Sequence, residues 1–458
     1  MIKPATKQAM KLLMNGTIAM AKMEDAGMRI DEELLDKSIK ETETTVLDLE
    51  NEIKATKEFK LWTNKYGDKT KLTAKNQFGD VIFNLLGQKR NKYLSNIAND
   101  EEAFEHVNLP FVKLYMKYDK LKRALKTNLL GYKAEIQDGY IHPSFSLNIA
   151  ESYRSACSNP NLQNVPVRMK DISKIIRSIF IPRKDHIFIE SDYSAQEVRV
   201  SACYHKDPAF IKYILGSGDM HTDMAKEIYM LDEAPTKETR YAAKNMFVFP
   251  QFYGSFYAQC APNLWDAMGK LNLTTLNNVK MKDHLRRKGI KLLGSCDFKQ
   301  PPKKGTFEYH IKEVERHFWE DKFPVYDQFK RDWWDEYLRE GGVNTLTGFK
   351  MEGVFRRNQI LCDMIQGSSF HCLLWSIIQI QKIMEKRKMR SKIICQVHDS
   401  ILGDVHKDEK DDYMELVHDV TTNQVQEHYK WIIVPLSIEF EIAEKNWFEK
   451  VPYKLHSN

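Results

Sequence analysis

The chain has 458 residues, a formal net charge of +6 and 42% hydrophobic residues, enough for about two to four structural units around a large core. Mean hydropathy is −0.52. No stretch approaches the ~18 apolar residues of a membrane span, and the apolar run Met10–Met14 is short and broken by Lys11. A soluble protein of the cytoplasm, with no membrane partner, is therefore expected. The seven cysteines include no CxxC pair, which argues against a disulfide framework or zinc site and for buried, small apolar residues. A mildly basic balance permits a nucleic-acid partner without arguing for one.

Residues 1 to about 140 are rich in Lys and Glu with helical periodicity. Helices are predicted from Glu32 to about Lys57, from Asn76 to Leu86 and from Glu101 to Leu130, with a polar connection from Lys65 to Lys75. These charges read either as a solvated helical face or as an arm gripping a phosphate backbone. Between residues 141 and 170 the texture becomes loop-like, with His142-Pro-Ser-Phe145, Asn159-Pro-Asn-Leu-Gln-Asn-Val-Pro166 and Arg154 between them. Such amides and Arg suit either Asx-type turns or contacts to sugar and base edges.

The apolar run Ile187 to Ile189 reads as a short buried strand that delivers Asp192, and residues 195 to 203 have helical character. From Asp207 to Gly342 the chain is mostly helical, with Trp319, Trp333 and Trp334 at core-like spacings. A basic excursion from Lys280 to Gly305 reads as a surface loop, either solvated or close to DNA. Lys392 to Leu402 reads as strand, tight turn, strand, with His398 and Asp399 at the turn, and Pro435 to Ile442 as a last strand.

One carboxylate at a strand end suits Mg²⁺, which takes one or two carboxylates and leaves room for substrate phosphates. Asp399, exposed by its hairpin beside the Asp192 strand, is the second candidate. The two together could hold two cations about 4 Å apart, the arrangement for in-line nucleotidyl transfer. Arg240 and Lys244 lie four apart on one face of a helix starting near Thr236. Like charges at that spacing are mildly unfavourable alone and favourable opposite a triphosphate.

In these motifs the chain resembles the family A, DNA polymerase I-like DNA polymerases, in its details the bacteriophage members. The matching residues are Asp192-Tyr-Ser-Ala-Gln-Glu-Val-Arg199, then Arg240, Lys244, Tyr253 and Gly254, and Val397-His-Asp-Ser400. Arg154, Pro160 to Pro166, Met220-His221 and Gln366-Gly367 match further family segments, and the similarity runs from about Met23 to Trp447. The resemblance implies an α+β right-hand fold: a helical thumb at 1–140, palm at 141–204 and 343–458, and fingers at 205–342 carrying the 280–305 insertion. It implies primer-dependent, template-directed DNA synthesis from dNTPs. Two Mg²⁺ ions, with Mn²⁺ as a substitute, would be held by Asp192, Asp399 and the Tyr193 carbonyl.

By the same resemblance Arg240, Lys244 and His221 would meet the triphosphate, Glu197 would crowd the sugar 2′ position, and Tyr253 would stack at the templating position. Arg154, Asn161, Gln163, Asn164, Gln366 and His398 would contact primer and template. A single-subunit RNA polymerase-like enzyme is the alternative, disfavoured by Glu197; an inactive DNA-binding scaffold or a two-metal nuclease is disfavoured by the joint presence of the acids and Arg240/Lys244. A monomer is expected, with any exonuclease or processivity factor a separate polypeptide.

Three features depart from the family pattern. Lys244 to Tyr253 spans nine residues rather than the usual eight of cellular members and contains Pro250, which should kink or end the helix near Val248-Phe249. It stays open which of Phe247, Val248 and Phe249 faces the sugar. Ser400 stands where many members have Glu, and Cys362 near where many have Asn. Thumb-like sequence begins within about 25 residues of Met1, where a proofreading domain would add roughly two hundred residues, so no intrinsic 3′–5′ exonuclease is expected. The purified chain should release no mononucleotides from 3′-labelled single strands with or without Mg²⁺; metal-dependent release would overturn this expectation.

Overall fold

A computed structural model of the chain describes residues 2–89, 101–104, 107–167, 169–216, 218–297 and 299–455. Its centre is a five-stranded antiparallel sheet in the order Lys392–Val397, Ser400–His406, His186–Tyr193, Ile438–Ala443, Val451–Tyr453. The His186–Tyr193 strand lies in the middle, and Ile187, Phe188 and Ile189 are all buried. A continuous apolar run, rather than an alternating one, is what a strand covered on both faces requires.

The 31-residue helix Arg357–Arg387 packs against the helices Lys7–Ala26 and Gln196–His205 and shares a large apolar cluster with the sheet. Helix Lys7–Ala26 lies against both this long helix and the Lys392–Val397 strand. Strand Ile2–Pro4 pairs with Phe349–Glu352, which pairs in turn with Gly342–Asn344. The first 26 residues, grouped by sequence with the helical arm, thus pack on the sheet body. Sequence periodicity cannot make that distinction, because these two partners of the helix lie more than three hundred residues away.

The helical arm starts at Glu32, where Asp31 caps the helix Glu32–Ala55. Thr56 breaks it from Lys57–Tyr66: its Oγ1 accepts from Phe59 N at 3.1 Å, the start signal of a new helix. The single helix expected from Glu101 to Leu130 is interrupted. Glu101–Phe104 is helical, 107–109 is not, and Pro110 opens the helix Pro110–Arg123, as a residue without an N–H does best. Residues 105 and 106 of that expected helix lie outside the described residues. Trp62, Phe78, Phe111 and Tyr115 fill the arm, with Phe78 stacked on Tyr115 at 3.6 Å.

Residues between Ala202 and Phe329 build a lobe with its own apolar cluster, including Phe247, Leu264, Leu285, Ile311 and Phe318. Trp319 is buried in it and donates to Gln251 Oε1 at 2.7 Å, while Trp333 and Trp334 pack against the main core. The basic excursion is a loop only in part. Met281–Arg287 is a helix, and Met281, Leu285 and Ile290 are buried. Apolar residues too few to signal a core in the sequence find one in the neighbouring helices. None of the seven cysteines is in a disulfide; five are buried, and Cys296 and Cys362 are half-buried. Among the described residues no helix is long and apolar enough to cross a membrane.

One buried ion pair fastens the sheet to its surroundings. Arg183 Nη1 donates to Asp404 Oδ2 at 2.5 Å, its Nη2 donates to the Ala26 carbonyl, and its guanidinium lies 5.0 Å from the Tyr140 ring centre. Asp404 is only 1% exposed. Arg183→Ala would leave that carboxylate buried without its partner, which costs about 3–5 kcal/mol. Urea unfolding of this variant should show a correspondingly lower midpoint.

Candidate active site

Strand register builds the first wall. Asp192, next to last in its strand, sits opposite Ser400 on one side and Glu439 on the other. Asp399 lies in the two-residue turn between Val397 and Ser400, where His398 adopts a left-handed φ of 55°. Tyr193 N donates to the Asp399 carbonyl at 3.3 Å, which ties the hairpin to the strand end. The Tyr193 ring is buried and its hydroxyl donates to Thr421 O at 3.1 Å, so the backbone beside Asp192 is anchored from behind.

The Asp192 and Asp399 side chains come within hydrogen-bonding reach of each other. Burial first, and then the facing carboxylates of Asp399 and Glu190, raise the Asp192 pKa well above the usual carboxylate range. Trp447 Nε1 and Lys450 satisfy Glu190 itself, at 2.9 and 2.8 Å. Two acids this close favour a shared proton or a cation between them. An all-oxygen set of two carboxylates with an adjacent backbone carbonyl fits a hard cation such as Mg²⁺ or Mn²⁺. Among the described residues no group of three or more His, Cys, Asp or Glu side chains is arranged to hold a metal.

Behind Asp192 the chain turns through Ala195, held left-handed at φ 51°, and enters the helix Gln196–His205. A non-glycine residue there costs about 1–2 kcal/mol. Arg199 stabilises the turn, donating to Ser194 O at 3.1 Å and to Pro435 O at 2.7 Å. The result aims Glu197 into the cleft, where Tyr253 Oη donates to its Oε2 at 2.6 Å.

The second wall comes from the helical lobe. Helix Lys237–Ala243 carries Arg240, and it continues not as a break but as a π-helical stretch, Lys244–Val248, before the short helix Phe249–Phe252. A π turn holds one more residue than an α turn. It thereby takes up the extra residue in the nine-residue step from Lys244 to Tyr253, and Pro250 sits at the start of the next turn, where a missing N–H is tolerated. The expected kink at Pro250 is thus a widened helix. Phe247 and Val248 are fully buried in the lobe, whereas Phe249 lines the cleft, 5.7 Å from the His221 ring and 5.1 Å from Lys244 Nζ. Of the three, Phe249 is therefore the one that enters the cleft.

Between the walls is a cleft of about 770 Å³ lined by Asp192, Tyr193, Glu197, His221, Arg240, Lys244, Phe249, Tyr253 and Asp399, among others. Burial, reinforced by Lys244 and Arg240, lowers the His221 pKa to about 4, so its imidazole is neutral at physiological pH. Its Nδ1 is buried with no hydrogen-bond partner among the described residues, a vacancy that a bound ligand can fill.

Asp219 went unnoticed in the sequence. It caps the helix that bears His221 and clamps Arg240, accepting from Nε at 2.7 Å and Nη2 at 3.0 Å. The Arg240 hydrogen bonds hold its carboxyl far below the usual range. An Asp directly before Met220-His221-Thr222 was a readable cap signal; its contact with Arg240 was not.

Of the other expected residues, Arg154 Nη1 donates to Gln366 Oε1 at 3.1 Å. Gln163 Nε2 donates to Ser155 Oγ at 2.7 Å and Gln396 Oε1 at 2.8 Å, joining its loop to the Asp399 hairpin through Gln396, a residue the sequence reading passed over. Asn161 caps its own turn through Gln163 N at 3.0 Å, and Asn164 and His398 are exposed. These six residues do not line the 770 Å³ cleft. Ser400 is buried with its Oγ bonded to Val397 O at 2.9 Å, so it serves the hairpin; Cys362 lines the cleft, its thiol pushed up to about 12 by burial.

The family model for DNA polymerase family A matches residues 33–267 and 344–449. The chain belongs to DNA polymerase family A. DNA polymerase I of Caldicellulosiruptor bescii is 26% identical over 436 residues, covering 93% of this chain and 45% of that protein. DNA polymerase I of Lactococcus lactis subsp. lactis is 27% identical over 437 residues, covering 94% and 44%, and the DNA polymerase of Bacillus phage SP01 is 24% identical over 409, covering 83% and 40%. The chain thus spans less than half the length of these curated relatives. Among solved structures, the POL domain of Pol1 from M. smegmatis, in complex with DNA primer-template and dNTP, aligns with TM-score 0.72 and 22% identity over 95% of this chain and 70% of that one. The family A chain accordingly has the right-hand polymerase fold.

Gly254 follows Tyr253 at φ +81°, and a Cβ there would lie 2.5 Å from the Asn358 side chain, which donates to the Gly254 carbonyl at 3.1 Å. Gly254→Ala should therefore lower stability by about 1–3 kcal/mol, measured by thermal unfolding, and displace Tyr253 from Glu197.

Proposed function

We propose that this chain carries out primer-dependent, template-directed DNA synthesis by nucleotidyl transfer from deoxynucleoside triphosphates. The observation that carries this reading is the cleft itself. Two mutually repelling carboxylates stand on one wall, and Arg240, Lys244 and the unpartnered Nδ1 of His221 stand on the other. A triphosphate between them would be neutralised by the helix cations at one end and would share divalent cations with the carboxylates at the other.

In this reading the helical arm from Glu32 to about residue 135 is the thumb. The sheet, the long helix and the first 26 residues form the palm, and residues 205–342 form the fingers. Asp192, Asp399 and the Tyr193 carbonyl would hold the cations. When bound, these lower the pKa of the attacking hydroxyl and stabilise the leaving pyrophosphate.

The chain's own residues do the rest. Asp219, bonded to one edge of the Arg240 guanidinium, leaves Nη1 for a phosphate oxygen. Neutral His221 supplies a hydrogen bond rather than a charge. Phe249 gives the sugar an apolar face. Glu197, held by Tyr253, stands where a 2′-hydroxyl would need room. Tyr253, 44% exposed, offers a ring for stacking at the templating position. The Arg154–Gln366 pair supplies donors for minor-groove acceptors common to all correct base pairs.

Primer extension with dNTPs and NTPs in parallel tests this. Wild type should extend with dNTPs and Mg²⁺ or Mn²⁺ and scarcely with NTPs. Asp399→Ala should lose about a thousandfold in rate, the equivalent of ~4 kcal/mol of transition-state stabilisation. Extension that persists in the variant would sink the site assignment, and efficient use of NTPs would favour an RNA polymerase.

A further inference from the structure

Residues 274–305 contain nine lysines and arginines against two aspartates, a net +7, while the whole chain is +6. Everything outside this segment therefore sums to about neutral, at −1. Parts of the segment are packed on the lobe. Met281, Leu285 and Ile290 are buried with Phe307, and isolated bridges join Thr274 to Lys280 and Leu292 to Thr306. Two further contacts pin it to the turn after the His221 helix: His284 Nε2 lies 3.1 Å from Met230 O, and Leu276 N donates to Glu233 Oε1 at 3.1 Å.

Some of its cations are used internally. Lys288 pairs with Asp232 at 2.9 Å, Arg286 with Asp283 at 2.9 Å, and Lys282 lies 5.2 Å from the Trp265 ring centre. Lys280, Arg287, Lys291, Lys299, Lys303 and Lys304 are exposed, and among the described residues none has an acid within ion-pair distance. Six exposed cations on one segment of an otherwise near-neutral chain form a surface for a polyanion. The segment also lies between the two stretches matched by the family model, 33–267 and 344–449.

Position selects the polyanion. Helix Tyr257–Lys270 starts four residues after Tyr253 and leads into this segment, whose Lys282 packs back on the helix at Trp265. The Arg154–Gln366 pair and the catalytic hairpin, where primer and product duplex would lie, are on the palm side of Tyr253. We propose that the 274–305 unit binds the phosphodiester backbone of the single-stranded template ahead of the active site. This rests on the polymerase reading above.

The test compares wild type with a variant carrying Lys280→Gln, Arg287→Gln, Lys291→Gln, Lys303→Gln and Lys304→Gln. Affinity for labelled primer-templates with 5′ overhangs of about two and about fifteen nucleotides is measured from roughly 50 to 300 mM salt. For wild type, the slope of log affinity against log salt should be steeper with the long overhang by about two or more, at ~0.7 per phosphate contact. In the variant that difference should disappear, while the short-overhang slope and primer extension on the short overhang stay unchanged.

Overhang dependence that survives in the variant, or is absent from wild type, would overturn the proposal; the second outcome is also what a surface for an acidic protein would give. If the five-site variant melts early, Lys303→Gln/Lys304→Gln alone should remove at least half of the difference, and an undiminished difference overturns the proposal there too. Failure of the polymerase reading would show separately, as absence of primer extension by wild type on either substrate.

Discussion

Like charges held face to face are the constraint on which this structure depends. Asp192 and Asp399 come together because a central strand and a two-residue hairpin are locked in register, with Ser400 opposite Asp192 and the Tyr193 amide bonded to the Asp399 carbonyl. Their repulsion is local and strong in a half-buried site. It is offset by burial that has nothing to do with chemistry: Ile187, Phe188 and Ile189 on the strand, Ile401 and Leu402 on the hairpin, and the Tyr193 ring behind the acid. The sheet can hold the two acids close because its own packing is indifferent to their charge.

The facing wall solves the opposite problem, since Arg240 and Lys244 also repel. Asp219 relieves this by bonding one edge of the Arg240 guanidinium, and because it also caps the His221 helix, one carboxylate orients two of the groups that line the cleft. The widened turn at Lys244–Val248 sends Phe247 and Val248 into the lobe's core and Phe249 into the cleft. One inserted residue in a regular helix rotates everything after it by about 100°. Placed in a π turn, it leaves Tyr253 able to reach Glu197.

Much of this was legible in the residues. The Asp192 strand, the His398-Asp399 turn and the Arg240/Lys244 face are read from short windows, where apolar runs, tight-turn chemistry and helical spacing act locally. The family pattern joined those windows into one site, and the cleft brings together Asp192, Glu197, His221, Arg240, Lys244, Tyr253 and Asp399. What escaped the sequence was of another kind. Lys7–Ala26 has the composition of the arm but the packing of the sheet body. The 280–305 segment looks like a loop because its few apolar residues share a core with helices elsewhere in the chain. Gln396 is one polar residue in an apolar strand, and its role appears only when Gln163 and Ser155 are beside it.

The sequence by itself determined the chemical groups, their order and the local geometry that presents each of them: an acid at a strand end, an acid in a hairpin turn, two cations one helical turn apart. Those properties follow from the conformational preferences of a few neighbouring residues. Only the tertiary structure decided which phenylalanine enters the cleft, which acid orients Arg240, and which lobe carries the basic unit. Each of these depends on contacts between segments tens to hundreds of residues apart, and no local preference encodes a partner at that distance.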